Sequence, residues 1–158
     1  MLFESVVEVL KNNHKYISTM ESCTGGFVAS SITNVPGASD VFMYGAVTYS
    51  NQFKIKMGVD SKLIDKYSVY SEEVANNMAF TISNYTDSNY GIGVTGKLNR
   101  ADSRNMSGSD STIFVSIYDR DNDQYYNLKL DAIYEDRLDN KKMIAEEINN
   151  KLLEILGG

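Results

Sequence analysis

The stretch YISTMESCTGGFVASSI, residues 16–32, changes character twice along its length. Tyr16 to Met20 is short and rich in β-forming side chains, ESCTGG (21–26) is polar and ends in two glycines, and Phe27, Val28, Ala29 and Ile32 then return at helical spacing. This reads as strand, tight loop, helix. The loop glycines allow close backbone approach, and a helix starting there turns its free amides and the positive end of its dipole back on the loop. Such a place binds anions or oxyanions.

The flanking sequence repeats this alternation. Leu2, Val6, Val7, Val9 and Leu10 put apolar groups on one side of a helix running to about Asn13. After the breaker Pro36-Gly37, Val41 to Tyr49 reads as a second strand. Ser50 or Asn51 can cap a short helix through Met57. Ser61 and Ser71 are further caps, the latter for a longer helix through Thr81 or beyond. Tyr90 to Val94 is a buried strand ending in Thr95-Gly96, and Thr112 to Tyr118 and Tyr125 to Leu130 form a hairpin around DRDND. From about Arg137 to Leu156, Met143, Ile144, Ile148, Leu152, Leu153 and Ile155 mark a closing amphipathic helix. The expected fold is α/β: a three-layer α/β/α sandwich on a mixed, mostly parallel sheet of about five strands, as one domain over 1–158. Lys97 to Ser111, KLNRADSRNMSGSDS, has no apolar periodicity and is expected as a mobile surface loop.

Composition narrows the function classes. With 158 residues, 42% hydrophobic and 23% charged, the chain belongs with globular proteins, and disorder or fibrous repeats are excluded. A formal net charge of −6 offers no global positive field for a nucleic-acid backbone. The single cysteine, Cys23, excludes an internal disulfide or a cysteine zinc cage and suits a reducing, cytoplasmic compartment. The N-terminus lacks the features of a signal peptide, and no apolar run approaches the roughly 20 residues that span a bilayer, so no membrane partner is expected. Apolar-rich helices and a hairpin edge suit a homo-oligomer.

Ser22, in the turn, is a candidate nucleophile, but its hydroxyl needs a base. The only histidine, His14, lies in a charged setting at the end of the first helix and reads as a surface residue. Lysine remains, provided burial or nearby positive potential lowers its pKa. Lys54 is the candidate, though it could equally be a solvated helix lysine like Lys56, Lys62 and Lys66. Ser22 and Thr24 could simply cap the following helix, Cys23 could be a nucleophile or a packed thiol, and Glu21 could orient donors or flank the turn. Ser22, Tyr49 and Thr95 each stand at an expected strand end, and parallel sheets collect ligands at that edge.

ESCTGG (21–26), followed by VPGASDVFMYGAVTYSNQFK (35–54), YSEEVANNMA (70–79) and GVTG (93–96), resembles the C-terminal domain family of the competence/damage-inducible protein CinA. EDRLDNKKMIAEEI (135–148) is similar, more weakly, to the GDR-containing start of that family's last helix. The resemblance implies a nicotinamide-nucleotide amidase, which converts nicotinamide mononucleotide to nicotinate mononucleotide and ammonia by a serine and lysine mechanism, with no metal or cofactor. It implies Ser22 as nucleophile, Lys54 as base and Tyr49 as a supporting hydroxyl. The pyridine-nucleotide substrate would meet Thr24, Gly25, Gly26, Asn51, Thr95 and Gly96, with amides at Gly25-Gly26 on the oxyanion and Arg137, Lys141 and the glycine amides holding its phosphate.

One segment departs from the pattern. After GVTG the family usually continues with an AGPGG-type loop and a KPVG segment that shape the pocket, and here KLNRADSRNMSGSDS replaces both. That departure sets a second expectation beside the amidase: a catalytically weak nucleotide-binding or regulatory module of the same fold. A third is amide hydrolysis on another pyridine or nucleotide carboxamide.

Overall fold

The computed structural model describes residues 1–100, 104–106 and 108–157. Its elements run α1 (Glu4–Asn12), β1 (Ile17–Glu21), α2 (Phe27–Thr33), a short 3-10 turn (Ala38–Asp40), β2 (Phe42–Val47), α3 (Asn51–Met57), α4 (Ser61–Tyr67), α5 (Glu72–Thr86), β3 (Tyr90–Gly96), β4 (Thr112–Asp119), β5 (Gln124–Asp131) and α6 (Arg137–Gly157). The strands form one five-stranded sheet in the order β2-β1-β3-β4-β5. β1 pairs in parallel with β2 and β3, while β3–β4 and β4–β5 are antiparallel. Only β4 therefore runs against the others, so the sheet is mixed yet mostly of one direction, as its sequence implies.

Alternation along the strands sorts the two faces. Ile17, Ile92, Val94, Ile113, Val115 and Ile117 face a core shared with α1, α2 and α6, where Val6, Leu10, Ile32, Ile144, Ile148 and Leu152 are sealed from solvent. The other face is covered by α5, whose Val74, Met78 and Ile82 pack with Met20 and Ala46. This makes three layers. Close approach of α5 depends on glycine: a Cβ at Gly91 would collide with the carbonyl of Ala79, and one at Gly93 with that of Ala75. No helix among the described residues is long and apolar enough to cross a membrane.

Two boundaries differ from the sequence reading. Asp60, not Ser61, caps α4, its carboxylate accepting from the Lys62 amide at 2.9 Å, because the chain enters the helix one residue earlier. Thr95 and Gly96 lie inside β3 rather than beyond it, since pairing with β4 continues to Gly96 opposite Ile113. The expected caps Ser50 and Ser71 do accept from Phe53 and Val74 amides, each at 3.2 Å.

The parallel strands finish together. Glu21 lies beside Val47 on one side and Val94 on the other, so the residues following β1, β2 and β3 emerge along one edge of the sheet.

Candidate functional site

Ser22 is the first residue past β1, held by its amide donating to the Val94 carbonyl at 3.0 Å. The chain then reverses: the Gly25 amide donates back to the Ser22 carbonyl at 3.0 Å, and Gly25 and Gly26 adopt φ of +59° and +97°, a left-handed region that disfavours a side chain. On the neighbouring strand, Ser50 starts α3 almost at once after β2, which sets Lys54 in that helix's first turns. The Lys54 side chain turns inward and is 1% exposed. Its Nζ donates to the Thr48 carbonyl at 2.7 Å and lies 2.9 Å from Ser22 Oγ. Two residues far apart in sequence are thus in direct hydrogen-bond contact. Lys56, Lys62 and Lys66 are exposed.

The start of α2 is not an open anion site. The buried Glu21 carboxylate occupies it: one oxygen accepts from the Thr24 hydroxyl at 2.6 Å and the Val28 amide at 2.9 Å, the other from the Ala29 amide at 3.0 Å. The Phe27 amide donates to the Thr24 carbonyl at 3.0 Å. The first turn of the helix therefore satisfies its amides within the chain, and the charge of Glu21 balances the dipole. This corrects three expectations. Thr24 is fully buried on Glu21 rather than turned to a ligand, the Gly25 amide is committed to Ser22, and the dipole of α2 answers to Glu21. The amides of Cys23, Thr24 and Gly26 make no backbone hydrogen bond among the described residues.

Above Ser22 opens a cavity of about 660 Å³. Its wall includes Ser22, Cys23, Tyr49, Ser50, Asn51, Gln52, Tyr70, Gly96 and Arg137. Of the expected site residues, Ser22, Tyr49, Asn51, Gly96 and Arg137 share this wall. Tyr49 is 65% exposed and its hydroxyl accepts from the Arg137 guanidinium at 3.3 Å. Thr95 does not reach the cavity: it is fully buried and donates to the Val69 carbonyl at 2.9 Å, tying β3 to the approach to α5. Lys141 stands beside Gly25, its Nζ 3.5 Å from where a Cβ there would sit, and Gly26 abuts Val47. Neither is on the cavity wall among the described residues.

Cys23 is buried and its thiol pKa is pushed up to about 12, first by burial and then by the Glu21 charge. At neutral pH it is a protonated thiol, which is a poor nucleophile.

The segment after β3, expected as a mobile surface loop, in part builds the site. Lys97 and Leu98 are buried and line the cavity with Arg100, Arg104 and Asn105. The Asn99 amide donates to the Asp110 carbonyl at 2.9 Å, its side chain donates to the Ala132 carbonyl at 2.8 Å, and the Asn51 side chain donates to Asn105 Oδ1 at 2.9 Å. Residues 101–103 and 107 of that segment lie outside the described residues. Lys97 Nζ lies 4.8 Å from the Tyr70 ring centre and 3.5 Å from Asp110 Oδ1. These cations escaped the sequence reading because polar composition signals a loop without showing which way its side chains point. The signal within it was Leu98, an isolated apolar residue that anchors the segment's start.

A mixed-sheet α/β domain with a lysine-paired serine at the carboxyl edge of its parallel strands is the class these features define. The chain matches the CinA C-terminal domain over residues 1–156 and belongs to that family. It is 48% identical over 96 residues to a competence-damage inducible protein of Alkaliphilus oremlandii, and 46% identical over 96 residues to a CinA-like protein of Kosmotoga olearia. In each case the match takes in 60% of this chain and 23% of the relative, so the chain spans less than a quarter of those proteins. Solved structures share the fold at low identity. A CinA superfamily protein of Klebsiella pneumoniae superposes with a TM-score of 0.88 at 19% identity, covering 98% of this chain and 94% of that one. One from Escherichia coli superposes at 0.83 and 23% identity, covering 96% and 87%.

Proposed function

We propose that this protein is an amidohydrolase that removes the carboxamide nitrogen of nicotinamide mononucleotide, giving nicotinate mononucleotide and ammonia, with Ser22 as nucleophile and Lys54 as base. The observation that carries this reading is the 2.9 Å contact between Lys54 Nζ and Ser22 Oγ, made at the floor of a cavity and shielded from water. A lysine acting as base takes the hydroxyl proton as a neutral amine. In that form Lys54 still donates to the Thr48 carbonyl, and the Ser22 contact reverses, with the hydroxyl donating to nitrogen.

The steps follow from the positions. Lys54 takes the hydroxyl proton as Ser22 Oγ attacks the carboxamide carbon. The developing oxyanion is met by a turn amide, for which we assign Cys23, the one residue of this turn besides Ser22 on the cavity wall, in place of Gly25. Lys54 returns the proton to the leaving nitrogen and ammonia departs; water then attacks the ester carbon, Lys54 accepts its proton, and passes it to Ser22 Oγ as the acyl-oxygen bond breaks. Tyr49 and Arg137, joined by their hydrogen bond, form one side of the substrate's approach. A cytoplasmic setting suits a chain whose one cysteine is free and buried.

The test is ammonia release from nicotinamide mononucleotide by the purified protein. Ser22→Ala and Lys54→Met should each lower the rate at least about a hundredfold while the fold survives. The replaced segment after Gly96 favours one second reading, a nucleotide-binding module without turnover. Tight nucleotide binding by the folded protein with no ammonia released would support that module and end the amidase reading.

A further inference from the structure

The chain carries a formal charge of −6, yet the cavity wall holds Lys97, Arg100, Arg104 and Arg137 and, among the described residues, no carboxylate. That local reversal of charge sits where a nucleotide would need it. The other anion-binding device of such folds, a helix N-terminus, is filled here by Glu21. Lys141 lies off the wall.

The loop cations are arranged in depth. Lys97 is buried, its charge set over the Tyr70 ring and beside Asp110, while Arg100 and Arg104 are exposed on the same wall. The Asn51–Asn105 hydrogen bond fastens the residue next to Arg104 to the start of α3, the helix that carries Lys54. The planar fork of an arginine matches phosphate oxygens two at a time, and two such forks before a buried ammonium suit a dianion.

We propose that Arg100 and Arg104, backed by Lys97, form the phosphate subsite of this cavity, so that a bound mononucleotide turns its phosphate to this segment and its base to Ser22. The base end rests on the amidase reading. The phosphate end does not, and can be measured without turnover.

The experiment is titration calorimetry on Ser22→Ala protein with nicotinamide mononucleotide, its dephosphorylated riboside and inorganic phosphate. The mononucleotide should bind at least about tenfold more tightly than the riboside, phosphate should compete with it, and added salt should erode the difference. Arg100→Gln/Arg104→Gln should shrink the mononucleotide-to-riboside ratio at least about tenfold with an unchanged melting curve, since both side chains are exposed. A ratio that survives the double substitution, or one that collapses only in Arg137→Gln, overturns the proposal. So does a Ser22→Ala protein that never prefers the mononucleotide. Absence of ammonia release from the unmodified protein would refute the amidase and leave these binding ratios standing.

Discussion

Glu21→Gln should destabilise the protein through the start of α2 alone. The carboxylate accepts three hydrogen bonds there, from the Thr24 hydroxyl and the Val28 amide on one oxygen and from the Ala29 amide on the other. A glutamine keeps the shape and one acceptor oxygen, but its NH2 must then face one of the two helix amides, donor against donor. The orphaned buried amide costs about 1–3 kcal/mol. Losing the negative charge at the positive end of the helix adds about 0.3–2 kcal/mol, and removal of a buried charge returns part of that. The net is roughly 2–4 kcal/mol, or about 5–15 °C in melting temperature for a chain of this size. Thermal unfolding followed by far-ultraviolet circular dichroism reads the shift directly. A melting temperature within about 1 °C of the parent would refute the placement of Glu21 as the cap of α2, and with it the argument that phosphate must be held elsewhere.

Thr95→Val removes the hydrogen bond to the Val69 carbonyl, so stability should fall by about 1–3 kcal/mol while KM for the mononucleotide stays within about twofold; a large rise in KM would return Thr95 to the pocket. Gly93→Ala drives a methyl into the Ala75 carbonyl of α5 and should cost at least about 2 kcal/mol in a denaturant titration. Cys23 should resist iodoacetamide in the folded protein near pH 8 and react once unfolded. Because its folded pKa is raised from 9.0 to about 12, the folded state holds the proton longer, and stability should decline as pH climbs through that interval.

Much of the fold was legible because its signals are local. Ser50 and Ser71 announce their helices as caps, and alternation in β1 and β3 separates the α5 face from the other. Asp60 was overlooked because adjacent Asp and Ser residues are both good caps, and only backbone geometry decides between them. The site was legible in residue type but not in orientation. Only its spacing after TYSN separates Lys54 from Lys56 in the same helix, yet one is sealed at 1% exposure and the other faces solvent. Their positions differ by two residues, just over half a turn, and the direction of the core sets which one turns inward. Glu21 was ambiguous for a related reason: its partners at Val28 and Ala29 come within reach only because the Gly25-Gly26 turn folds the helix back over the strand end. The Lys97–Ser111 segment shows the converse, a polar stretch whose composition reads as solvent-facing and whose first residues are anchored in the cavity wall.

The central claim is covalent chemistry at Ser22 with Lys54 as base, and it is tested most directly by quenching the protein with acid during turnover of nicotinamide mononucleotide and mapping the adduct by peptide mass spectrometry. The account predicts a nicotinate-nucleotide acyl group on Ser22, absent in Lys54→Met. Ammonia release with no adduct on Ser22, or with the acyl group on Cys23, would contradict it.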